Sequence, residues 1–331
     1  MDRLHRSESG AEGARRIARA QIAEARRALS RRPLSDDAVH SARKSLKKAR
    51  AMFRLLRPSI GGRVYHRENA ALRKAAGAFG GIRDARVLLE TLEALARRMP
   101  DATPTVRELQ RLLRREQALI RSRLRPGSGR TADPIRILRA SRRRTGHWRF
   151  DHGGWSVLGT GLRRMYGQAR RGFARARAHP SAANLHEWRK QTKYLCHQLQ
   201  VLEPLGTAVA RRAGLAHHLA HVLGAHHDLW MLRARVSSTV QAGAGRRALL
   251  DRIDRRSVRL GAQAFALGQR LYADTGPAFE ARLHALWRAW RHPPRIRAAA
   301  RTRGASPRAA RIAAAPRAAG AGPRERRSRG S

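Results

Sequence analysis

Two segments of this chain repeat one another, and the repeat limits the folds that the chain can adopt. Residues 39–58 read VHSARKSLKKARAMFRLLRP, and residues 185–204 read LHEWRKQTKYLCHQLQVLEP. At an offset of 146 residues they share six pairs, which are His40/His186, Arg43/Arg189, Lys44/Lys190, Lys47/Lys193, Leu56/Leu202 and Pro58/Pro204. Further on, FGGIRD at 79–84 and LGAHHD at 223–228 share a Gly and an Asp. Similar segments in the same order and at nearly the same spacing indicate a duplicated unit.

The spacing of apolar residues predicts an all-α fold. Apolar residues recur at intervals of three and four, β-branched residues are few, and the alternation typical of strands is absent. The predicted helices cover about residues 11–31, 36–57, 62–79, 82–99, 104–125, 155–178, 181–203, 205–223, 226–241, 245–272 and 277–290. We expect seven prolines to lie at the breaks between helices, where a missing N–H does least harm. They are Pro33, Pro58, Pro100, Pro104, Pro180, Pro204 and Pro277.

Composition divides the chain into four parts. We predict a first helical half over 1–125 and a second over 155–290. Residues 126–154 between them have too little apolar periodicity for a core element and are predicted to be a linker. Residues 291–331 contain Ala, Arg, Gly and Pro with almost no large apolar residue, and we predict that this tail is disordered.

The positive charge of the chain indicates a polyanionic partner. The 72 Lys and Arg residues against 23 Asp and Glu residues give a formal net charge of +49, which a polyanion would relieve. Inorganic polyphosphate, a nucleic acid and an anionic membrane surface all fit this requirement. Only six of the basic residues are Lys, and five of those six lie in the two repeats. The charge in the repeats is therefore more informative than the Arg-rich composition of the whole chain.

The expected compartment is the cytoplasm. The single cysteine, Cys196, excludes an internal disulfide and fits a reducing compartment. The N-terminus lacks the apolar region of a secretory signal. No run of eighteen apolar residues occurs, so we expect a soluble protein without a membrane span.

Basic side chains are predicted to form a ridge beside the buried face of each repeated helix. Both repeats have an apolar seam at three-four spacing, and a residue one position later lies about 100° around the helix. The residues in that phase, which we call the cationic ridge, are His40, Arg43, Lys47, Arg50 and Arg54 in the first repeat and His186, Arg189 and Lys193 in the second. A basic stripe is ordinarily a solvated helix face, but its recurrence in the second repeat favours a binding site.

The chemistry of the cationic ridge suits a linear polyphosphate. The charges of such a ligand are closely spaced, and its oxygens only accept hydrogen bonds. Arg donates in a planar, often bidentate manner, Lys supplies a point charge, and the charge of His rises beside a phosphate. Polyphosphate is therefore the expected ligand, and no cofactor is expected.

The shared Gly and Asp downstream of each repeat have a structural interpretation. Gly80 and Gly224 would permit a helix end or close packing, and Asp84 and Asp228 would cap the next helix or orient a basic residue. The residues before the aspartates, Arg83 and His227, are candidate ligands because a neighbouring carboxylate can orient them.

These motifs resemble the CHAD family, the conserved histidine α-helical domain. The resemblance is based on H-x-x-R-K-x-x-K at 40–47 and 186–193, each followed about forty residues later by [FL]-G-x-x-[RH]-D, and covers roughly residues 10–275. It implies two bundles, each mainly of four antiparallel helices and related by a pseudo-twofold axis, with a basic cleft or channel between them. It also implies polyphosphate binding and association with polyphosphate granules.

The resemblance assigns candidate ligands residue by residue. The matching positions are His40, Arg43, Lys44 and Lys47 in the first copy and His186, Arg189, Lys190 and Lys193 in the second. The second copy departs from the first where Tyr194, Cys196 and Gln200 replace Lys48, Arg50 and Arg54. Its ridge is therefore weaker, and His197 is expected to compensate in part.

An enzyme is not expected from these residues. The second half contains a group of histidines beside Asp228, namely His217, His218, His221, His226 and His227. We interpret them as structural or anion-binding rather than metal-binding, because no HExxH or paired acidic motif accompanies them. Cys196 has no recognised catalytic context and is expected to be an inert, helix-packed thiol.

Two other classes of function remain open at this point. A nucleic-acid-binding protein of histone-like character would also use a basic surface and an Arg-rich tail. Aromatic residues make up only 5% of the chain and the tryptophans fall mostly in core positions, which disfavours a platform for base stacking. The third class is a structural protein of storage granules or a membrane-surface adaptor that acts through the tail.

Overall fold

The fold is helical throughout the part of the chain that the structure describes, as the sequence predicted. The computed structural model describes residues 3–31, 34–97, 103–122, 132–150 and 153–292. These residues contain eleven α-helices and no strand. The helices are α1 Gly10–Ser30, α2 Asp36–Ile60, α3 Gly62–Gly77, α4 Gly80–Ala96, α5 Thr103–Ser122, α6 Ala132–Gly146, α7 Ser156–Ala178, α8 Ala182–Val201, α9 Thr207–Thr239, α10 Ala244–Leu271 and α11 Gly276–Arg291.

Serine side chains fix the starts of the two repeated helices, α2 and α8. Ser35 Oγ accepts a hydrogen bond from the Ala38 N–H at 3.1 Å, and Ser181 Oγ accepts one from the Asn184 N–H at 3.2 Å. Each hydroxyl satisfies a first-turn N–H that has no partner within the helix. The two serines are 146 residues apart, the same offset as the repeat. Helices α2 and α8 therefore begin in register.

Pro58 lies inside α2, where a break was predicted. A proline has no N–H, so the carbonyl four residues earlier, that of Arg54, lacks its helical partner. The guanidinium of Arg164 on α7 donates to this carbonyl at 2.7 Å. The prediction was wrong at this position because a neighbouring helix supplies the missing donor.

Helix α2 joins the two halves of the chain. It packs against α7 and α8, while α4 packs against α9 and α5 against α10. The buried Gln198 side chain of α8 donates to the Ala51 carbonyl of α2 at 2.9 Å. A Cβ atom at Gly161 of α7 would collide with the Leu55 carbonyl of α2, so this close approach requires glycine. All described residues belong to one compact unit.

Helix α6 occupies much of the segment that was predicted to be a linker. It packs against α1 and α3, and Leu138 is fully buried. The buried Glu68 of α3 accepts hydrogen bonds from Ser141 Oγ at 2.8 Å and from Arg144 Nε at 2.7 Å. Burial alone would raise the pKa of Glu68, but these hydrogen bonds outweigh it and lower the pKa. The linker prediction was wrong for residues 132–146 because the buried Leu138 and the polar contacts to Glu68 together hold this helix in place, and apolar periodicity does not reveal the polar contacts.

Helix α9 continues without a break where two helices separated near Gly224 were predicted. Gly224 is buried inside this helix, and a Cβ atom there would lie 4.0 Å from Lys193 Nζ of α8. At that distance a Cβ atom would make only an ordinary contact, so neither predicted role of Gly224, a helix end or close packing, is required here. The corresponding Gly80 does begin a helix, α4, so the two halves differ at this motif.

The last described helix, α11, ends close to the predicted start of the tail. Helix α11 ends at Arg291, whose guanidinium donates to the Glu8 carbonyl at 2.6 Å. Residues 293–331 of the predicted tail lie outside the described residues, as do residues 126–131, 151 and 152 of the predicted linker. The pseudo-twofold relation between two bundles stays a prediction.

Candidate functional site

A cavity of about 670 Å³ lies between α2, α4, α8 and α9. Basic and imidazole side chains make up much of its described lining. Helices α2 and α8 contribute His40, Arg43, Lys44, Lys47, Arg189, Lys193 and His197, and α9 contributes His217, His221 and His227. The only acidic side chains in the described lining are Asp84 and Asp228. Equivalent basic residues of the two repeats therefore line the same cavity.

The pKa values of Lys193 and Arg189 are both lowered in the cavity. Burial, followed by the positive charges of Arg189 and Lys47, lowers the pKa of Lys193 to about 7. Burial also lowers the pKa of Arg189. Asp228 raises both pKa values but does not outweigh burial. Holding these positive charges together in the cavity costs free energy, and an anionic ligand would offset that cost.

One nitrogen of Arg189 has an unused hydrogen-bonding capacity. Its Nε atom is buried and makes no hydrogen bond to any residue that the structure describes. A buried N–H without an acceptor costs free energy, of order 1–3 kcal/mol. An acceptor-rich ligand in the cavity would recover this cost.

Two of the cavity histidines are neutral rings in the unliganded protein. Burial lowers the pKa of His227 to about 4, and the charge of Arg189 adds to this effect. Burial also lowers the pKa of His197 to about 4, although a hydrogen bond with Gln200 opposes the shift. Each ring can donate through one N–H at pH 7 and gains a positive charge only when an anion lies beside it.

Arg50 and Arg54, the last residues of the first-repeat ridge, are not part of the described lining. Arg50 Nε donates to Asn69 Oδ1 at 2.9 Å, and the Arg54 guanidinium lies 4.2 Å from the ring centroid of Tyr194. Both residues share the ridge phase, but they lie two to three turns beyond Arg43 along α2. Arg54 therefore contacts α8 through Tyr194, one of the positions where the second repeat departs from the first.

Three other predicted ligands also fall outside the described lining. His186 is exposed and lies beside the cavity, with its ring centroid 4.8 Å from that of His227. Lys190 forms an ion pair with Glu187 one turn earlier on α8. The side chain of Arg83 lies outside the described residues. The remaining eight predicted ligands line the cavity, and they are His40, Arg43, Lys44, Lys47, Arg189, Lys193, His197 and His227.

The two aspartates of the repeated Gly-Asp element do not cap helices. Asp84 and Asp228 lie within α4 and α9, beyond the first turn of each, so that prediction was wrong. Asp228 instead lies close enough to Arg189 and Lys193 for its charge to raise both pKa values, and the alternative role of orienting a basic residue stays a prediction.

His217 and His221 line the cavity although they were not among the predicted ligands. Their spacing of four residues places both on one face of α9, and this was the signal available in the sequence. Within the described ranges, no group of three or more His, Cys, Asp or Glu side chains is arranged to hold a metal ion. Cys196 is buried beside them, and burial raises the pKa of its thiol to about 12.

The fold and the cavity define a class of protein, an all-helical protein in which two sequence repeats contribute basic side chains to one cavity. The chain belongs to the CHAD domain family, which matches residues 13–237. This confirms the family resemblance noted in the sequence. No curated protein matches the chain significantly.

Two solved structures show the same fold. PptA from Streptomyces chartreusis is 16% identical with a TM-score of 0.53, and the match covers 81% of this chain and 100% of PptA. The CHAD domain from the plant Ricinus communis is 17% identical with a TM-score of 0.53, covering 86% of this chain and 94% of that domain. None of the described helices is both long enough and apolar enough to cross a membrane.

Proposed function

We propose that this protein binds inorganic polyphosphate in the cavity between α2, α4, α8 and α9, and that it does so without catalysis. The observation that supports this function is the convergence of basic residues from both repeats on one cavity. Arg43 and Lys47 of α2 face it together with their repeat equivalents, Arg189 and Lys193 of α8.

A polyphosphate chain matches the cavity in both charge and hydrogen bonding. Its anionic oxygens accept from guanidinium, ammonium and imidazole N–H groups, and charge-assisted bonds of this kind contribute about 1.5–3 kcal/mol each. It would also supply an acceptor to the buried Nε of Arg189 and favour the charged form of Lys193. Release of counterions adds to the affinity and makes binding sensitive to salt.

A nucleic acid is the second candidate partner because the whole chain is strongly basic. Duplex DNA carries its phosphates on the outside of a wide, stiff body. A linear polyphosphate is only one phosphate wide and can enter a cavity of about 670 Å³. The cavity therefore favours polyphosphate, whereas the exposed arginines favour neither ligand.

The test is a comparison of the two polyanions by titration calorimetry at about 0.15 M salt. We expect polyphosphate to bind at least tenfold more tightly than duplex DNA of equal total charge. No release of inorganic phosphate is expected during prolonged incubation with polyphosphate. Equal affinity for DNA would favour the nucleic-acid function, and protein-dependent phosphate release would contradict the absence of catalysis.

We further propose that the protein resides in the cytoplasm and associates with polyphosphate granules through its folded part. In cells that accumulate polyphosphate, the labelled protein lacking 291–331 is expected to remain on granules. A full-length variant carrying Arg43→Ala and Arg189→Ala is expected to disperse. The opposite pattern in microscopy would mean that the tail acts as the granule or membrane-surface adaptor.

A further inference from the structure

An exposed tryptophan lies beside the cavity and has no part in the proposed polyphosphate site. Trp230 of α9 is 44% exposed, one of four large apolar side chains exposed among the described residues. Its ring centroid lies 5.8 Å from that of His227, with the two planes 20° apart. The ring of His227 in turn lies 4.8 Å from that of His186. We call His186, His227 and Trp230 the aromatic rim.

The aromatic rim is continuous with the cationic cavity. His227 belongs to both, because it lines the cavity and stacks with Trp230. Arg189 and Lys193 line the same cavity, and their charges add to burial in lowering the pKa of the His227 ring. An uncharged aromatic surface therefore adjoins a basic one. A ligand that combines a flat ring with a short phosphate chain would match both surfaces.

We propose that this site also binds nucleoside polyphosphates, with the base stacked on Trp230 and the phosphates held by Arg189 and Lys193. The inference rests on the proposed function, since both ligands use the same basic residues. Every nucleobase has a π face, and stacking on an aromatic side chain is tolerant of base identity. The cavity volume of about 670 Å³ is typical of sites for small molecules.

The exposure of Trp230 is informative because most of the other tryptophan side chains that the structure describes are buried. Trp148, Trp155, Trp188 and Trp287 belong to the hydrophobic core. Trp230 follows His227 by three residues, so one face of α9 presents both rings. The low aromatic content had disfavoured a stacking platform, but one exposed ring is sufficient for a single base.

The experiment compares adenosine triphosphate, uridine triphosphate and inorganic tripolyphosphate by titration calorimetry on the full-length protein. Trp230→Ala is expected to lower the affinity for adenosine triphosphate about tenfold and the affinity for tripolyphosphate less than twofold. Wild-type protein is expected to prefer the purine nucleotide, which has the larger ring system. Trp230→Phe is expected to retain most of the affinity for both nucleotides.

Leu119→Ala is the matched control, because Leu119 is also exposed, at 55%, and lies on α5 rather than beside the cavity. It is expected to leave all three affinities unchanged. Equal effects of Trp230→Ala on nucleotide and tripolyphosphate binding, or no effect on either, would overturn the stacking proposal alone. If the wild-type protein bound neither tripolyphosphate nor long-chain polyphosphate, the proposed function would be overturned as well.

Discussion

Replacing both Arg43 and Arg189 with alanine is expected to weaken polyphosphate binding by about a hundredfold or more. The two residues occupy equivalent positions in the repeats and line the same cavity. Each is expected to contribute at least one charge-assisted hydrogen bond of about 1.5–3 kcal/mol. A tenfold change in affinity corresponds to about 1.4 kcal/mol. Titration calorimetry at constant salt measures the effect directly.

The control for this variant removes the same charge from another part of the molecule. Arg171 and Arg175 are exposed on α7, and their joint replacement by alanine leaves the cavity intact. We expect only a small loss of affinity, because salt screens distant surface charges. Arg43 also donates to the Ala76 carbonyl at 3.3 Å, so circular dichroism must show unchanged helix content. Equal losses in the two double variants would mean that only total charge matters.

Polyphosphate affinity is also expected to fall as pH rises from 7 to 9. In the unliganded protein Lys193 has a pKa of about 7, because it is buried and lies near Arg189 and Lys47. A bound polyanion favours the charged ammonium and raises this pKa, so binding above pH 7 takes up a proton. One coupled proton lowers affinity by up to about tenfold for each pH unit, or about a hundredfold over this range.

Of the other groups that line the cavity near Lys193, a histidine would contribute to this dependence only if the bound anion raised its pKa from about 4 to above 7. His197 and His227 have pKa values of about 4, and the Cys196 thiol has a pKa of about 12, so none of them titrates between pH 7 and 9 in the unliganded protein. Lys193→Met is therefore expected to bind more weakly at pH 7 and to lose most of the pH dependence. Calorimetry in buffers of different ionisation enthalpy would measure the proton uptake. A wild-type affinity that is constant from pH 7 to 9 would contradict this assignment.

Lys193→Met is also expected to raise the free energy of unfolding of the unliganded protein at pH 7 and below. Lys193 has a lower pKa in the folded state than the ordinary value of 10.5, so the unfolded state binds more protons between pH 7 and 10.5. Its contribution to the free energy of unfolding therefore rises with pH across this window. At pH 7 and below, Lys193→Met removes a buried charge and is expected to stabilise the unliganded protein. Thermal unfolding at pH 6 is the appropriate measurement.

Local sequence patterns predicted most of the helices and much of the site. The three-four seam placed His40, Arg43 and Lys47 on one face of α2, and the repeat indicated that Arg189 and Lys193 would occupy the same phase of α8. Helix phase alone could not determine how far along α2 the cavity extends. Arg50 and Arg54 share that phase, but their positions bring them to Asn69 and Tyr194.

The differences from prediction arise where tertiary contacts override local signals. Helix α6 is held by the buried carboxylate of Glu68, a contact between residues more than seventy positions apart. Pro58 is accommodated by a donor from α7. None of these partners can be identified from neighbouring residues in the sequence.

The contacts that hold α2 against α7 and α8 have a consequence for ligand selection. Gly161 allows the backbones of α7 and α2 to approach closely. The hydrogen bond from Gln198 to Ala51 holds α8 against α2, and these two helices are walls of the cavity. These walls cannot separate without breaking buried contacts. The site should therefore discriminate between polyanions by their width, because a wider polymer could enter only if these contacts broke.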